Sequence, residues 1–307
     1  MLANQRTLLG ILCIALTLSM PCAVQAVPSG GTEPAAVVNE APATKDRLQD
    51  FIKVQLETLS EQQGYESWKR AGIEVTALGP GTHGWLVLLN VNGRDAGYLI
   101  ITAGDDGTLT LAEYGRGTVA LFNLKTLYAA MLQQELIPRT LSWYAFQNNG
   151  KYKFMPVYLS PLQAFWQVTK RDGTILYFEP RTGELLPLHK AQMAAYGRLS
   201  VSMPTSAAAS SAEPDSLMLA SFDPYETLTW IRKAPETVPT FDALEALLRQ
   251  KRKTVYSWEP FGRTLGYTAA VVGFEVRPGS EPYVLLHHED STRAVSFSSL
   301  QQSGGFY

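Results

Sequence analysis

The chain has 307 residues, 46% hydrophobic and 18% charged, which is enough to bury one or two full cores and excludes a chain disordered throughout. A formal net charge of −2 and a pI near 6.1 give no electrostatic reason to expect a nucleic acid partner, which needs a basic face, and equally leave a polybasic patch for an anionic membrane surface unsupported. Both cysteines, Cys13 and Cys22, lie near the N-terminus, so the remaining chain has no disulfide, no thiolate metal site and no cysteine nucleophile.

Residues 1–26 read as a signal peptide. Arg6 supplies the positive start, residues 8–20 a short apolar run, and Val24-Gln25-Ala26 a small-residue site cleavable after Ala26. The run is short for a bilayer span, so export with cleavage and no stable membrane insertion is expected, with an uncleaved anchor as the alternative. A lipid anchor on Cys22 is disfavoured by Met20-Pro21 before it. An exported chain without disulfides fits a bacterial location, secreted or at the envelope of a Gram-positive cell.

Residues 27–43, rich in Pro, Gly, Ala and Glu, read as a flexible leader. Leu48, Phe51, Ile52, Leu56 and Leu59 then recur at helical spacing, and Gly64 ends the run. Gly79-Pro80-Gly81-Thr82-His83-Gly84 lacks the Lys-Ser/Thr ending of a phosphate loop and reads as a turn. Three strands follow over 85–90, 98–102 and 108–114, joined by Asn92-Gly93 and by Gly104-Asp105-Asp106-Gly107. In the last strand Leu109 and Leu111 alternate with Thr108, Thr110 and Ala112, which predicts one apolar face. Asn123 caps a helix carrying Leu124, Leu127, Tyr128, Met131, Leu132 and Leu136, stopped at Pro138.

Short strands are expected over 156–159, 164–168 and 174–179, with Arg171-Asp172-Gly173 turning between the last two. The composition then shifts to Ser, Ala, Pro, Thr and Met, which places a linker at 191–221. Beyond it, Asp223-Pro224 starts a helix, Thr240 caps another, and strands are expected over 254–258, 267–276, 283–287 and 294–297. The predicted class is α+β: antiparallel sheets with helices on one face, in two units (44–190 and 222–307) joined by the Ser/Ala-rich linker.

Several stretches resemble known families. Gly97-Tyr98-Leu99-Ile100-Ile101, the Gly-Asp-Asp-Gly turn and Leu111-Ala112-Glu113-Tyr114 resemble the core hairpin of streptopain-type pro-domains and related peptidase inhibitors, which implies a unit that binds a peptidase. Asp172-Gly173 and the run from Tyr177 to Glu184 resemble the end of a PepSY-type unit, found in exported pro-regions. The run from Leu265 to Phe274, then Tyr283-Val284-Leu285-Leu286 and Val295-Ser296-Phe297, is similar to the second half of papain-fold peptidases of the bacteriocin-processing type. That resemblance implies a general-base histidine where this chain has Tyr267, an orienting acid near Asp290, and a cysteine with no counterpart here. A phenol of ordinary pKa cannot replace imidazole at neutral pH, so these positions read as vestigial.

His287-His288-Glu289-Asp290 is the densest cluster of ligand-type residues, but neighbours on a strand point to opposite faces, so a polar strand end is expected rather than a metal site at His287 and His288. Asp105-Asp106-Gly107 does not continue at the spacing of a calcium loop. Glu113 and Glu184 could form a glycosidase carboxylate pair only if the fold brought them together. No Gly-x-Ser-x-Gly elbow is present. Aromatics are dense around 143–166, and Tyr98, Tyr114, Trp143, Tyr144 and Trp166 are the candidate binding-surface residues. The expected function is an exported, non-catalytic, protein-binding chain with no cofactor, whose partner is a secreted peptidase or another exported protein. The alternatives are a degenerate or unrecognised papain-fold hydrolase and a structural envelope module.

Overall fold

The computed structural model describes residues 42–79, 83–118, 120–148, 150–196, 214–226, 228–288 and 291–307. The signal-peptide, leader and Asp290 readings lie outside them, as do residues 197–213 of the expected linker.

The first helix, Pro42–Ser60, buries Leu48, Ile52 and Leu59, and a 3-10 turn, Glu66–Arg70, adds Trp68. Each such side chain contributes about 1.5–3 kcal/mol. The chain then enters β1 (Gly72–Ala77), β2 (Gly84–Val91), β3 (Arg94–Ala103) and β4 (Leu109–Arg116), an antiparallel meander. Asn92 and Gly93 both take positive φ, as their turn demands. In the next turn Asp106 Oδ1 accepts from the Thr108 N–H at 2.8 Å, so this carboxylate serves the loop itself. β1 was not anticipated, because Gly72–Ala77 has no apolar partner helix and every one of its residues is exposed.

Asn123 caps the helix Leu124–Gln133 through Oδ1, which accepts from the N–H groups of Lys125 (2.8 Å) and Thr126 (3.4 Å). After the short helix Trp143–Asn148 come β5 (Tyr152–Ser160), β6 (Gln163–Lys170) and β7 (Ile175–Phe178), a separate three-stranded antiparallel sheet. The helix Lys190–Tyr196 and β8 (Asp215–Met218) occupy the two ends of what composition marked as linker. The remaining chain forms the helix Phe241–Arg249, capped by Thr240, and β9 (Thr254–Trp258), β10 (Tyr267–Val276), β11 (Tyr283–His288), β12 (Ser291–Ser296) and β13 (Gly304–Phe306). The helix Phe297–Ser303 lies between the last two strands.

The class is α+β with antiparallel sheets. Two details differ from the sequence reading. First, β4 pairs with β12, setting Glu113 opposite Val295, Tyr114 opposite Ala294 and Gly115 opposite Arg293. One 10-stranded sheet, ordered β1-β2-β3-β4-β12-β11-β10-β9-β13 with β8 beside β10, therefore crosses from the first expected unit into the second. The change in composition at 191–221 separates two lengths of sequence but not two sheets. Second, both faces of this sheet are covered inward of its exposed edge strand β1. On β3, Leu99 and Ile101 pack toward the first helix, whereas Tyr98 and Ile100 pack toward the helix Leu124–Gln133 and the three-stranded sheet. The same alternation carries into the second half, where Ala270 and Leu285 join the first cluster while Val271 and Leu286 face Leu244 and Leu248.

The approach of these layers leaves no room at two glycines. A Cβ on Gly115 would lie 2.5 Å from the Tyr98 ring, and one on Gly97 would lie 2.4 Å from both the Gly115 carbonyl oxygen and the Trp68 ring. The Gly97 of the pro-domain-like hairpin is thus fixed by close packing. Among the described residues no helix is long and apolar enough to cross a membrane.

Candidate functional site

Strand alternation at the β4–β12 seam sends Glu113 to one face and its neighbour Tyr114 to the other. Glu113 is fully buried, and an isolated carboxylate there would cost several kcal/mol. It is instead surrounded by donors. Arg293 of β12 reaches it through Nη2 at 3.0 and 2.9 Å and through Nε at 3.3 Å, while the Tyr98 hydroxyl donates at 2.6 Å and the Tyr158 hydroxyl at 3.0 Å. Burial opposes the charge on Arg293, but the Glu113 carboxylate more than offsets this and holds the guanidinium pKa above its ordinary value. Burial, then the neighbouring carboxylate, raises the pKa of both phenols, so Tyr98 and Tyr158 stay protonated donors.

Arg293 also lines a pocket of about 270 Å³ between the main sheet and the three-stranded one. Trp258 and Tyr267, paired across β9 and β10 and stacked at 5.2 Å, form part of its wall. Arg181, Glu179 and Glu184 come from the turn after β7, and His288 from the end of β11. Glu179 Oε2 accepts from the N–H groups of Arg181 at 2.7 Å and Thr182 at 2.5 Å, which shapes this turn. Arg181 Nη2 donates to the His288 carbonyl at 3.1 Å and ties the turn to β11. Two further lining residues, Leu162 (φ 69°) and Phe261 (φ 57°), are left-handed without being glycine, a conformation costing about 1–3 kcal/mol each. Backbone of this kind persists only where packing dictates it, and here Phe261 meets the ring of Phe165 at 5.7 Å.

A second buried carboxylate, Glu275 of β10, lies on the opposite face. It accepts from the Tyr114 hydroxyl and, with the Gln62 amide nitrogen turned toward it, from Gln62 at 3.0 Å. The Arg277 guanidinium sits over the rings of Tyr114 and Tyr283, 5.3 and 4.7 Å from their centroids. Burial raises the Glu275 pKa, against the lowering effect of Tyr114 and Arg277.

The candidate residues separate clearly on this framework. Tyr267 lines the pocket, and burial followed by the nearby Glu179 and Glu184 raises its pKa, which leaves even less phenolate at neutral pH to act as a base than an ordinary phenol has. His288 faces the same pocket, whereas His287 Nδ1 lies 3.2 Å from Thr292 Oγ1, a division that follows from strand alternation. Glu184 is exposed and lines the pocket, but Glu113 is sealed in its ion pair, so the two are not a free carboxylate pair. The binding-surface assignment of Tyr98, Tyr114 and Trp166 is corrected: they are 2%, 0% and 5% exposed because both sheet faces are covered. Trp143 is half-buried against Tyr128 and Phe146, and Tyr144, 76% exposed, is the one of the five open to a partner.

Sequence reasoning passed over Arg293 and Trp258. An arginine inside the apolar run Ala294-Val295 and Leu285-Leu286 opposite it was a usable signal, since a buried strand position tolerates a charge only with a partner. Comparison with known proteins finds no matching family model, no similar curated protein and no similar solved structure.

Proposed function

We propose that the chain is an exported bacterial protein without catalytic activity that binds another protein, a secreted peptidase or similar client, by taking an extended segment of it along β1. The supporting observation is the state of β1 itself. It is the terminal strand of the 10-stranded sheet, all six of its residues are exposed, and Ile73 and Val75 are 47% and 41% exposed. Ile73, Val75 and Ala77 stand beside Leu89, Val87 and Trp85, and so continue the apolar face of β2.

An edge of this kind offers a row of backbone donors and acceptors together with apolar side chains, and soluble proteins ordinarily blunt such edges. A peptide adding an eleventh strand would place apolar residues beside Ile73 and Val75 and a basic residue opposite Glu74. The absence of catalysis is supported by Tyr267 in place of a general base and by the ion pair that occupies Glu113.

The test is to titrate the full exported chain against a panel of secreted cysteine peptidases, following residual activity and complex formation. At least one peptidase is expected to bind, and Ile73→Lys/Val75→Lys is expected to weaken that complex at least about tenfold, equivalent to roughly 1.4 kcal/mol. Absence of binding across the panel rejects a peptidase client. Undiminished binding by the double variant rejects β1 as the surface.

A further inference from the structure

The pocket beside Arg293 has an aromatic wall that ends in the open. Tyr256 and Trp258 lie near-parallel at 5.8 Å and 27°, Trp258 and Tyr267 at 5.2 Å and 22°, and this row of rings stops at the half-buried Tyr267, which has no further ring contact among the described residues. Gly266, the exposed residue before it, also lines the pocket, and a Cβ there would meet nothing within 4 Å, so there is space beside the last ring.

The polar groups of the lining divide into those already spent and those still free. Arg293 is held by Glu113, Arg181 Nη2 donates to the His288 carbonyl, and Glu179 accepts from the backbone of its own turn. The Glu184 carboxylate and the Tyr267 hydroxyl have no hydrogen-bond or ion-pair partner among the described residues. Glu184 is exposed, and the Tyr267 hydroxyl is not one of the sealed unpartnered atoms, so a ligand in the pocket can reach both. What remains free is thus an anionic acceptor, a phenol oxygen and an aromatic face, and a ligand has to bring the donors. The charges agree. Glu113 matches Arg293, and Arg181 stands against two carboxylates, Glu179 and Glu184, which leaves one negative charge over among these groups. Of the charges near the Tyr267 hydroxyl, Glu179 and Glu184 act more strongly than Arg293 and Arg181, so the field there favours a cation.

A guanidinium combines these requirements. Its flat face stacks on an aromatic ring while its N–H edge meets a carboxylate, which a compact ammonium cannot do in one pose. The volume of about 270 Å³ lies below the range of drug-sized ligand sites and suits the end of one side chain. We infer that this pocket binds a guanidinium group, stacked on the Tyr267 ring and paired with the Glu184 carboxylate. The group has two possible sources, a free small cation or an arginine side chain of a polypeptide. The site does not include β1, and either can fail without the other.

The full exported chain is titrated with agmatine, with the amides of N-acetyl-arginine, N-acetyl-lysine and N-acetyl-citrulline, and with N-acetyl-Gly-Arg-Gly amide, following transfer of proton saturation from protein to ligand. A saturable response is expected from the arginine compounds, a weaker one from lysine, and none from citrulline, which keeps the shape and loses the charge. Response to agmatine as well indicates a site for free cations, and response to the arginine amides alone indicates a polypeptide side chain. Glu184→Gln, at an exposed position, is expected to weaken the responding compound about fivefold, and Tyr267→Leu by about as much, with a cooperative unfolding transition showing that each variant is folded. The inference is overturned if no guanidinium compound saturates, if citrulline or lysine binds as tightly as arginine, or if folded Glu184→Gln binds like the parent chain.

Discussion

The two buried glutamates on either face of the seam solve one electrostatic problem in different ways. Glu113 is met by a guanidinium in a two-pronged ion pair and by two phenols, whereas Glu275 is met by a phenol, an amide and an arginine spread over aromatic rings. The first arrangement meets the carboxylate with a guanidinium that also lines a pocket. In the second, burial outweighs the hydrogen bonds and favours the protonated acid. Both span the same long separation in sequence: 180 residues between Glu113 and Arg293, and 161 between Tyr114 and Glu275. The difference teaches that the seam is fastened twice, once by an ion pair whose loss strands a charge and once by a group able to neutralise itself.

The comparison breaks most sharply at Glu113. Glu113→Ala leaves Arg293 buried without its counter-charge and is expected to cost about 3–5 kcal/mol, read from the urea unfolding midpoint. An unchanged midpoint would mean that Arg293 has moved to water. Tyr158→Phe is the milder probe. Tyr158 on β5 supplies the hydrogen bond from the three-stranded sheet to the Glu113 carboxylate, so the loss should be about 1.5–3 kcal/mol with the rest of the cluster intact.

At Glu275 the distinguishing measurement is the dependence on pH. Its native pKa lies above the ordinary value of 4.5, so the folded chain holds more protons than the unfolded one as pH rises through that value. Its contribution is therefore fully favourable below the unfolded pKa and is lost as pH climbs through the native one. Relative to Glu275→Gln, which cannot titrate, the parent chain should lose stability as pH rises from the unfolded value of 4.5 through the raised native one. The Tyr65 and Tyr114 phenols beside it, raised by burial, stay protonated over that window. A constant difference across the range would show that Glu275 titrates as it does in the unfolded chain.

Much of the local structure was legible because its causes are local. Asn92-Gly93 specifies its turn through two positive φ angles, Asn123 and Thr240 cap the helices they precede, and the strand over 254–258 is bounded as expected. β1 was missed because an exposed edge lacks the apolar alternation that marks a half-buried strand, and β8 because its four residues lie in a stretch of linker-like composition. The site was legible in part. Tyr267 was singled out and does line the pocket, but Tyr98 and Tyr114 were assigned to a surface because one apolar face was expected where both are covered.

By itself, the sequence determined the class, most strands, the two helix caps and the lack of a cysteine beyond Cys22, since these depend on residues within a few positions of one another or on composition alone. Only the tertiary structure decided that β4 pairs with β12, that Glu113 meets Arg293, and that Trp258 and Arg293 line one pocket. Pairing between distant strands carries no local signature, and a charged residue in an apolar strand announces that it needs a partner without saying which one.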